Sequence, residues 1–484
     1  RLYIVSTQPD LAACARLAAS LDPYAVLARG YAVVYQDGVP AQPTRLKAGD
    51  AVQIETAAAR LDCTVEHVMP KRPRRAKRAA QPPKAADFKI VKGNKKYEEQ
   101  MKKLWAECFP EDKDSGFIPF FFANLYQREQ TYLAVYEDTL CAMVYAPQMK
   151  YRFCGVDFTV PYIQGVATDP KFRHLGLANR LLAAALRDLN LQGAPFGILK
   201  PFNVDFYAKS GWRLFASLTK MPLSQVKIPQ NYLQKTQPLI AEIKNNKQNI
   251  KQYIEDLAAV FEFWQRNSGN AYPLRSHRAW ELLLQDHFND GGRVFGVFYG
   301  DKLSAYSLYL EEETAITMRE TAYGSQEALY LLLDFLQNFC GKKQKAIMHL
   351  PVNSPLLTES NRRQASTEPF AMLRVINCET LLSALDFGIG KEEMLYLQIT
   401  DEVIKNNNGI FRLEHHPGGS LCQKEQAENT AKAAPNLPRK IDANWLTEAL
   451  SECYNCYDFK AKKSTNCPAE QRQNFGCTYF NEYF

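Results

Sequence analysis

Two distant stretches alternate apolar and polar residues with a period of two, YLAVYEDTLCAMVYAPQM (132–149) and VFGVFYGDKLSAYSLYLE (294–311). Each predicts strand, tight turn and strand, with reversals at Glu137-Asp138 and Gly300-Asp301. Before each lies a stretch with apolar residues at helical spacing, FIPFFFANLYQRE (117–129) and HRAWELLLQDHF (277–288). A theme recurring after roughly 160 residues predicts a duplicated α/β unit. The polar, Pro-marked segment SQVKIPQNYLQKTQP (224–238) reads as the join. A third pattern is sharper. Val160, Tyr162, Ile163, Val166 and Ala167 predict a strand over 160–168, and a short loop holds Arg173, His174 and Gly176. Ala178, Leu181, Leu182, Ala185, Leu186 and Leu189 then recur at helical spacing, with Gly193 as the stop.

The two ends read differently. FAMLRVINCETLLSAL (370–385) opens a segment that continues as strands with Asn/Gly turns and closes on a helix carrying Trp445, Leu446 and Leu450 on one face. Asp442 or Asn444 is its candidate cap. At the front, turn signals at Asp37-Gly38 and Gly49-Asp50 interrupt alternating residues, predicting a small β unit after a helix at about 9–20. Residues 71–86, KRPRRAKRAAQPPKAA, have the composition of a linker. With room for about three domains in 484 residues, the expected divisions are 1–70, a linker 71–87, then 88–228, 229–370 and 371–484.

Charge changes this picture only at the front. The formal net charge is +7, but residues 1–86 hold thirteen Lys and Arg against seven Asp and Glu. Nucleic-acid affinity is therefore a question for residues 1–86 alone. No apolar run reaches the ~18 residues that span a bilayer, and no signal-peptide pattern opens the chain, so no membrane association is expected. Twelve cysteines then read as free thiols in a cytoplasmic protein. Cys453 and Cys456 form a Cys-x-x-Cys, but Cys467 and Cys477 are spaced too widely for the usual zinc set, and no metal is expected.

Candidate chemistry sits at 160–193. A loop entering a helix N-terminus offers unpaired N–H groups and the positive end of the helix dipole to an anion. Gly176 lets the backbone come close and Ala178 leaves room, which suits a pyrophosphate. RHLGLA (173–178) matches the Q/R-x-x-G-x-G/A signature of the GNAT N-acetyltransferases, and GVATDP (165–170) resembles their splayed central strand. The resemblance implies acetyl-CoA as co-substrate, held by Val166, Ala167, Thr168, Arg173, His174, Leu175, Gly176, Leu177 and Ala178. Arg173 and Arg180 are candidate screens for its phosphates, and His174 reads equally well as a solvated residue. NVDFYAKSGWR (203–213) resembles the family segment whose tyrosine faces the thioester sulfur, and Tyr207 is the matching residue. A phenol near pKa 10 can donate to a departing thiolate. Phe206 and Trp212 read as packing beside it, Trp264 and Trp280 as core, and His415-His416 as a turn.

The second repeat, AITMRETAYGSQEALYLLLDFLQNF (315–339), keeps strand and helix without the loop signature and is expected to be catalytically silent. Tandem GNAT-like units followed by an α+β segment resemble the enhanced intracellular survival (Eis) family over residues 88–484. That implies α/β and α+β architecture: tandem GNAT-like domains, a sterol-carrier-protein-like C-terminal domain, and a small N-terminal helix/β appendage. It also implies a terminal carboxylate, here on Phe484, that reaches the site as base or as an anchor for a cationic substrate. An unperturbed terminal carboxyl near pKa 3.5 suits the anchoring role better. LDPYAVLARGYAVV and LKAGDAVQIE resemble the C-terminal end of the exodeoxyribonuclease VII large subunit over residues 1–67. The expected activity is acetyl transfer to primary amines such as aminoglycoside-like polyamines, by direct attack on the thioester, in a homo-oligomer. A hydrophobic-ligand carrier and a nucleic-acid-associated partner are the alternatives.

Overall fold

The computed structural model describes residues 33–40, 46–55, 59–66, 87–229, 238–244, 247–268, 271–312, 315–341, 345–352, 354–387, 389, 394–416, 419–425 and 439–453. The expected helix at 9–20, the basic run 71–86, Cys456, Cys467, Cys477 and Phe484 lie outside them. The chain divides into residues 1–82 and 83–484.

In the first unit, β1 (Val33–Gln36), β2 (Val39–Pro40), β3 (Ala51–Glu55) and β4 (Arg60–Thr64) form an antiparallel sheet ordered β2-β1-β3-β4. Asp37 and Gly38 both take positive φ, 51° and 78°, the two-residue hairpin that the sequence predicts.

The second unit begins with β5 (Lys89–Lys92), α1 (Glu98–Cys108), α2 (Pro110–Lys113), α3 (Phe117–Asn124), β6 (Thr131–Tyr136), β7 (Thr139–Tyr145), β8 (Gln148–Phe153) and β9 (Val156–Thr168). It goes on through α4 (Leu177–Leu191), β10 (Phe196–Leu199), α5 (Val204–Ala208) and β11 (Arg213–Pro222). The repeat follows as β12 (Leu239–Ile243), α6 (Lys247–Ser268), β13 (Ala271–Pro273), α7 (His277–Asn289), β14 (Arg293–Tyr299), β15 (Lys302–Glu311), β16 (Ala315–Tyr323), α8 (Gln326–Cys340) and β17 (Lys345–Pro351). Next come β18 (Ser366–Val375), α9 (Cys378–Ala384), β19 (Met394–Thr400), β20 (Gly409–His416), β21 (Gly419–Glu425), β22 (Arg439–Asp442) and α10 (Ala443–Cys453).

Both repeats share one sheet, ordered β12-β14-β15-β16-β17-β11-β18-β10-β9-β7-β6-β5, with β13 added to the edge of β8. The duplication is visible in the pairing. β6, β7, β9 and β10 run antiparallel, antiparallel, then parallel, and β14 to β17 do the same. The strand β18, near the C-terminal region, lies between β10 and β11. A separate four-stranded sheet, β21-β20-β19-β22, forms the C-terminal region with α9 and α10.

The apolar stripe of α4 (Leu177, Leu181, Leu182, Ala185, Leu186 and Leu189) is buried on one face of β6, β7 and β9. On the other face α1 and α3 bury Trp105, Ile118 and Phe121. Trp264 and Trp280 are core residues, and Trp212 is fully buried. Two expectations need correction. The helix foreseen over 117–129 stops at Asn124, because the Tyr145 hydroxyl donates to the Leu125 carbonyl that a further turn would use. His415 and His416 belong to β20 instead of a turn, since cross-strand pairing with Ser420 and Gly419 extends the ladder through them.

Candidate active site

The parallel pairing of β9 with β10 lasts for two residue pairs, Tyr162–Ile198 and Ile163–Leu199. Beyond them β9 continues to Thr168 held by β7 alone, so the two strands part and leave a slot. The parting has a local cause. The β9–β7 register slips between Met143 and Tyr145, and Gly165 takes φ 58° within the slip. Only glycine suits that turn, since a Cβ there would lie 3.0 Å from the Trp105 ring. Val166, Ala167 and Thr168 form one arm of the slot; Lys200 to Tyr207 follow the other.

At the end of β9, Asp169 accepts from Lys171 N–H (2.8 Å) and starts a short 3-10 turn over Pro170–Phe172. Arg173 is exposed and folds back, its Nε donating to the Thr168 carbonyl at 3.3 Å. His174 and Gly176 both take left-handed φ, 66° and 73°. This turn delivers the chain into α4 with Leu177 buried, Leu175 partly buried and Ala178 half-buried. No side chain caps the start of α4, its first turn holds no acidic residue, and a Cβ at Gly176 would meet open space. The N–H groups and the dipole of this fifteen-residue helix therefore face solvent at the slot mouth, as an anion site requires. Arg180 is half-buried one turn along.

The repeat shows the contrast. There β16 and β17 pair from Ala315–Lys345 to Met318–Met348 and then also diverge. The start of α8, however, is capped by Ser325, whose Oγ accepts from Ala328 N–H at 3.2 Å. The chain's own hydroxyl occupies the place that stays open before α4.

Tyr207 lies on α5, which Asn203 caps by accepting from Phe206 N–H at 2.9 Å. It shares a buried cluster with Ile163, Leu199 and Leu177, so the slot and the phenol belong to one packed region. The rings of Phe206 and Phe202 meet it edge-on at 5.0 and 5.4 Å, and that of Trp212 at 6.5 Å. Its hydroxyl makes no hydrogen bond to a described residue, and burial pushes the phenol well above its ordinary range. It therefore keeps its proton at any working pH. Phe202 is 72% exposed at the same place, an uncovered aromatic beside the slot. The structure thus gathers Val166 to Thr168, Arg173 to Ala178 and Tyr207, while Phe484 is outside the described residues.

Residues 89–215 match the acetyltransferase (GNAT) domain family. They form a GNAT acetyltransferase domain. The chain is accordingly an acyltransferase enzyme, and residues 378–452 match the sterol carrier protein domain. No curated protein matches the sequence. Among solved structures, a conserved protein of Enterococcus faecalis V583 is similar at 19% identity and TM-score 0.63, over 82% of this chain and 100% of that one. A GCN5-related N-acetyltransferase from Anabaena variabilis gives 18%, 0.62, 82% and 100%, and Eis1 from Mycobacterium abscessus 14%, 0.56, 82% and 100%. At these identities the likeness is one of fold.

Several residues around the GNAT site carry no motif. Trp105 donates to Asp112 at 2.8 Å while its ring supports Gly165. Asp286 of α7 is 8% exposed, and its carboxyl makes no hydrogen bond or ion pair with a described residue. Its neighbours are Asp290, Arg319 and Asp112, and burial pushes its carboxyl up to about 7. The one legible signal was the glycine inside a predicted strand, which marks a bulge or close approach.

Proposed function

We propose that this enzyme transfers the acetyl group of acetyl-CoA to a primary amine by direct attack on the thioester. The uncapped start of α4 at the mouth of the β9–β10 slot carries this reading, because a pyrophosphate meets unpaired N–H groups there without displacing any side chain. In this reading Val166 to Thr168 present a free strand edge to the pantetheine arm, and Arg173 and Arg180 screen phosphate charge. Attack by the unprotonated amine gives a tetrahedral intermediate. Its collapse forms the amide and expels the CoA thiolate, and the proton from the Tyr207 hydroxyl converts that thiolate to the thiol. The amine's surplus proton passes to solvent and Tyr207 is reprotonated from it. The high affinity of Tyr207 for its proton keeps it the protonated partner, and the same burial that raises it raises the basicity of a thiolate formed beside it.

The acceptor class, a polyamine or aminoglycoside-like compound, is proposed from the resemblance of residues 88–484 to the Eis family. The test is thiol release from acetyl-CoA across simple alkylamines, spermidine and an aminoglycoside, with calorimetric titration of acetyl-CoA alone. Saturable binding and turnover of at least one amine are expected. Absence of acetyl-CoA binding would end the proposal.

A further inference from the structure

Arg374, at the end of β18, is 1% exposed, and each of its three guanidinium nitrogens donates. Its Nε donates to the Ser210 carbonyl at 2.9 Å and Nη1 to the Val375 carbonyl at 3.0 Å. Nη2 donates to both Asp401 oxygens, at 2.8 and 3.0 Å. Asp401 opens the loop between β19 and β20 of the sterol carrier domain. One of its oxygens also accepts from the N–H groups of Val403 and Ile404 (2.9 and 3.0 Å), the other from Asn407 Nδ2 (2.9 Å). Asn407 in turn accepts from Asn190 Nδ2 at 3.2 Å, and Arg187 donates to the Val403 carbonyl at 3.1 Å. Asn190 and Arg187 lie on α4, whose other end is the anion cradle. Ser210 is the residue whose N–H closes the turn after Tyr207, donating to the Tyr207 carbonyl at 2.9 Å.

One loop of the C-terminal domain therefore grips both sides of the slot. We propose that residues 401–408 work as a positioning clamp for acyl transfer, with Asp401 and Arg374 fixing the turn that carries Tyr207 against helix α4. The physical case is the cost of the arrangement. A buried ion pair contributes little stability relative to apolar replacements, so its use here is geometric: a planar guanidinium sets three directions at once. Gly211 lies under it, with room for no Cβ, since Asn444 Oδ1 and Arg374 Nε would be 2.4 and 2.7 Å away. The turn after Tyr207 is thus defined by Arg374 of β18 and by Asn444 of the C-terminal domain.

The clamp rests on the reading of Tyr207 as proton donor, and the experiment separates the two. Arg374→Lys in the full chain keeps a cation beside Asp401 but has no second arm for the Ser210 carbonyl. With acetyl-CoA and the fastest amine of the panel, kcat is expected to fall about tenfold or more, as small displacements at a reacting centre do. KM for acetyl-CoA should stay within about twofold, because the cradle end of α4 is untouched. Combining Arg374→Lys with Tyr207→Phe should cost no more than Tyr207→Phe alone. Amide hydrogen exchange should quicken over 207–212 and stay unchanged in α8. Asp401→Asn is the second variant, with the same pattern expected. Unchanged kcat and exchange in either folded variant, or losses that multiply in the double variant, would overturn the clamp. Full kcat in Tyr207→Phe by itself would remove only the proton-donor reading, and the exchange rates at 207–212 would then decide the clamp.

Discussion

Replacing Asp286 by Asn makes this chain more stable at alkaline pH and leaves it nearly unchanged in acid. The carboxyl lies in the last turn of α7, 8% exposed, near Asp290 at the C-cap, Asp112 of α2 and Arg319 of β16. The one cation among these is already committed, since Arg319 bonds Asp290 at 2.8 Å. Burial first, then the two carboxylates, push Asp286 up to about 7, against an unfolded value near 3.9. Between those two values the native state holds a proton that the unfolded chain has lost. Stability therefore falls as pH rises from about 4 to about 7, and is flat above. A gap of about three pKa units corresponds to roughly 4 kcal/mol, the ceiling for what the ionised group costs at pH 8. Asn keeps the shape of the neutral acid and removes the titration. Urea unfolding followed by tryptophan fluorescence should give Asp286→Asn an advantage of about 2–4 kcal/mol at pH 8 and less than about 0.5 near pH 3.5. An equal difference at both pH values would show that folding leaves the Asp286 pKa unshifted, and a less stable variant at pH 8 that Asp286 is ionised and paired; either overturns the reasoning.

Other substitutions probe the slot itself. Gly176→Asp meets no steric obstacle, so folding should survive, but it places a carboxylate at the helix start and strains a φ of 73°. Acetyl-CoA affinity by calorimetry should fall at least about tenfold, and unchanged affinity would remove the cradle. Tyr207→Phe should lower kcat by about a hundredfold with little change in KM for acetyl-CoA, measured by thiol release. Gly165→Ala presses a methyl to 3.0 Å from the Trp105 ring at a φ of 58°; it should cost about 1–3 kcal/mol in denaturant midpoint and weaken acetyl-CoA binding together.

Where chemistry follows chain-local pattern, the sequence was a good guide. The strand, glycine turn and helix at 160–191 are set by period and by two residues that accept left-handed φ, and all three fall where the spacing puts them. The capped start of the repeat's helix also had a local sign, the missing glycine turn, where Ser325 now accepts from Ala328 N–H. What escaped was built from distance. Arg374 and Asp401 are 27 positions apart in the chain, and Arg374 reaches Ser210 across 164. Neither residue type signals its partner, because a lone Arg in an apolar stretch reads only as a strand interrupted by charge. Asp286 likewise sits at helical spacing within HRAWELLLQDHF, where nothing local says that it is buried near Asp112 and Arg319.

The place of β18 bears on how the protein is made. Strands β10 and β11 come within 27 residues of one another, from Phe196 to Pro222, yet the strand between them begins only at Ser366. On a ribosome adding ~5–20 residues per second, the acetyltransferase sheet waits several seconds with two hydrogen-bonding edges bare. Such edges invite pairing with other chains. The acetyltransferase half is therefore no transplantable cassette: a protein cut before residue 366 would carry both arms of the β9–β10 slot and still lack the strand that lies between β10 and β11.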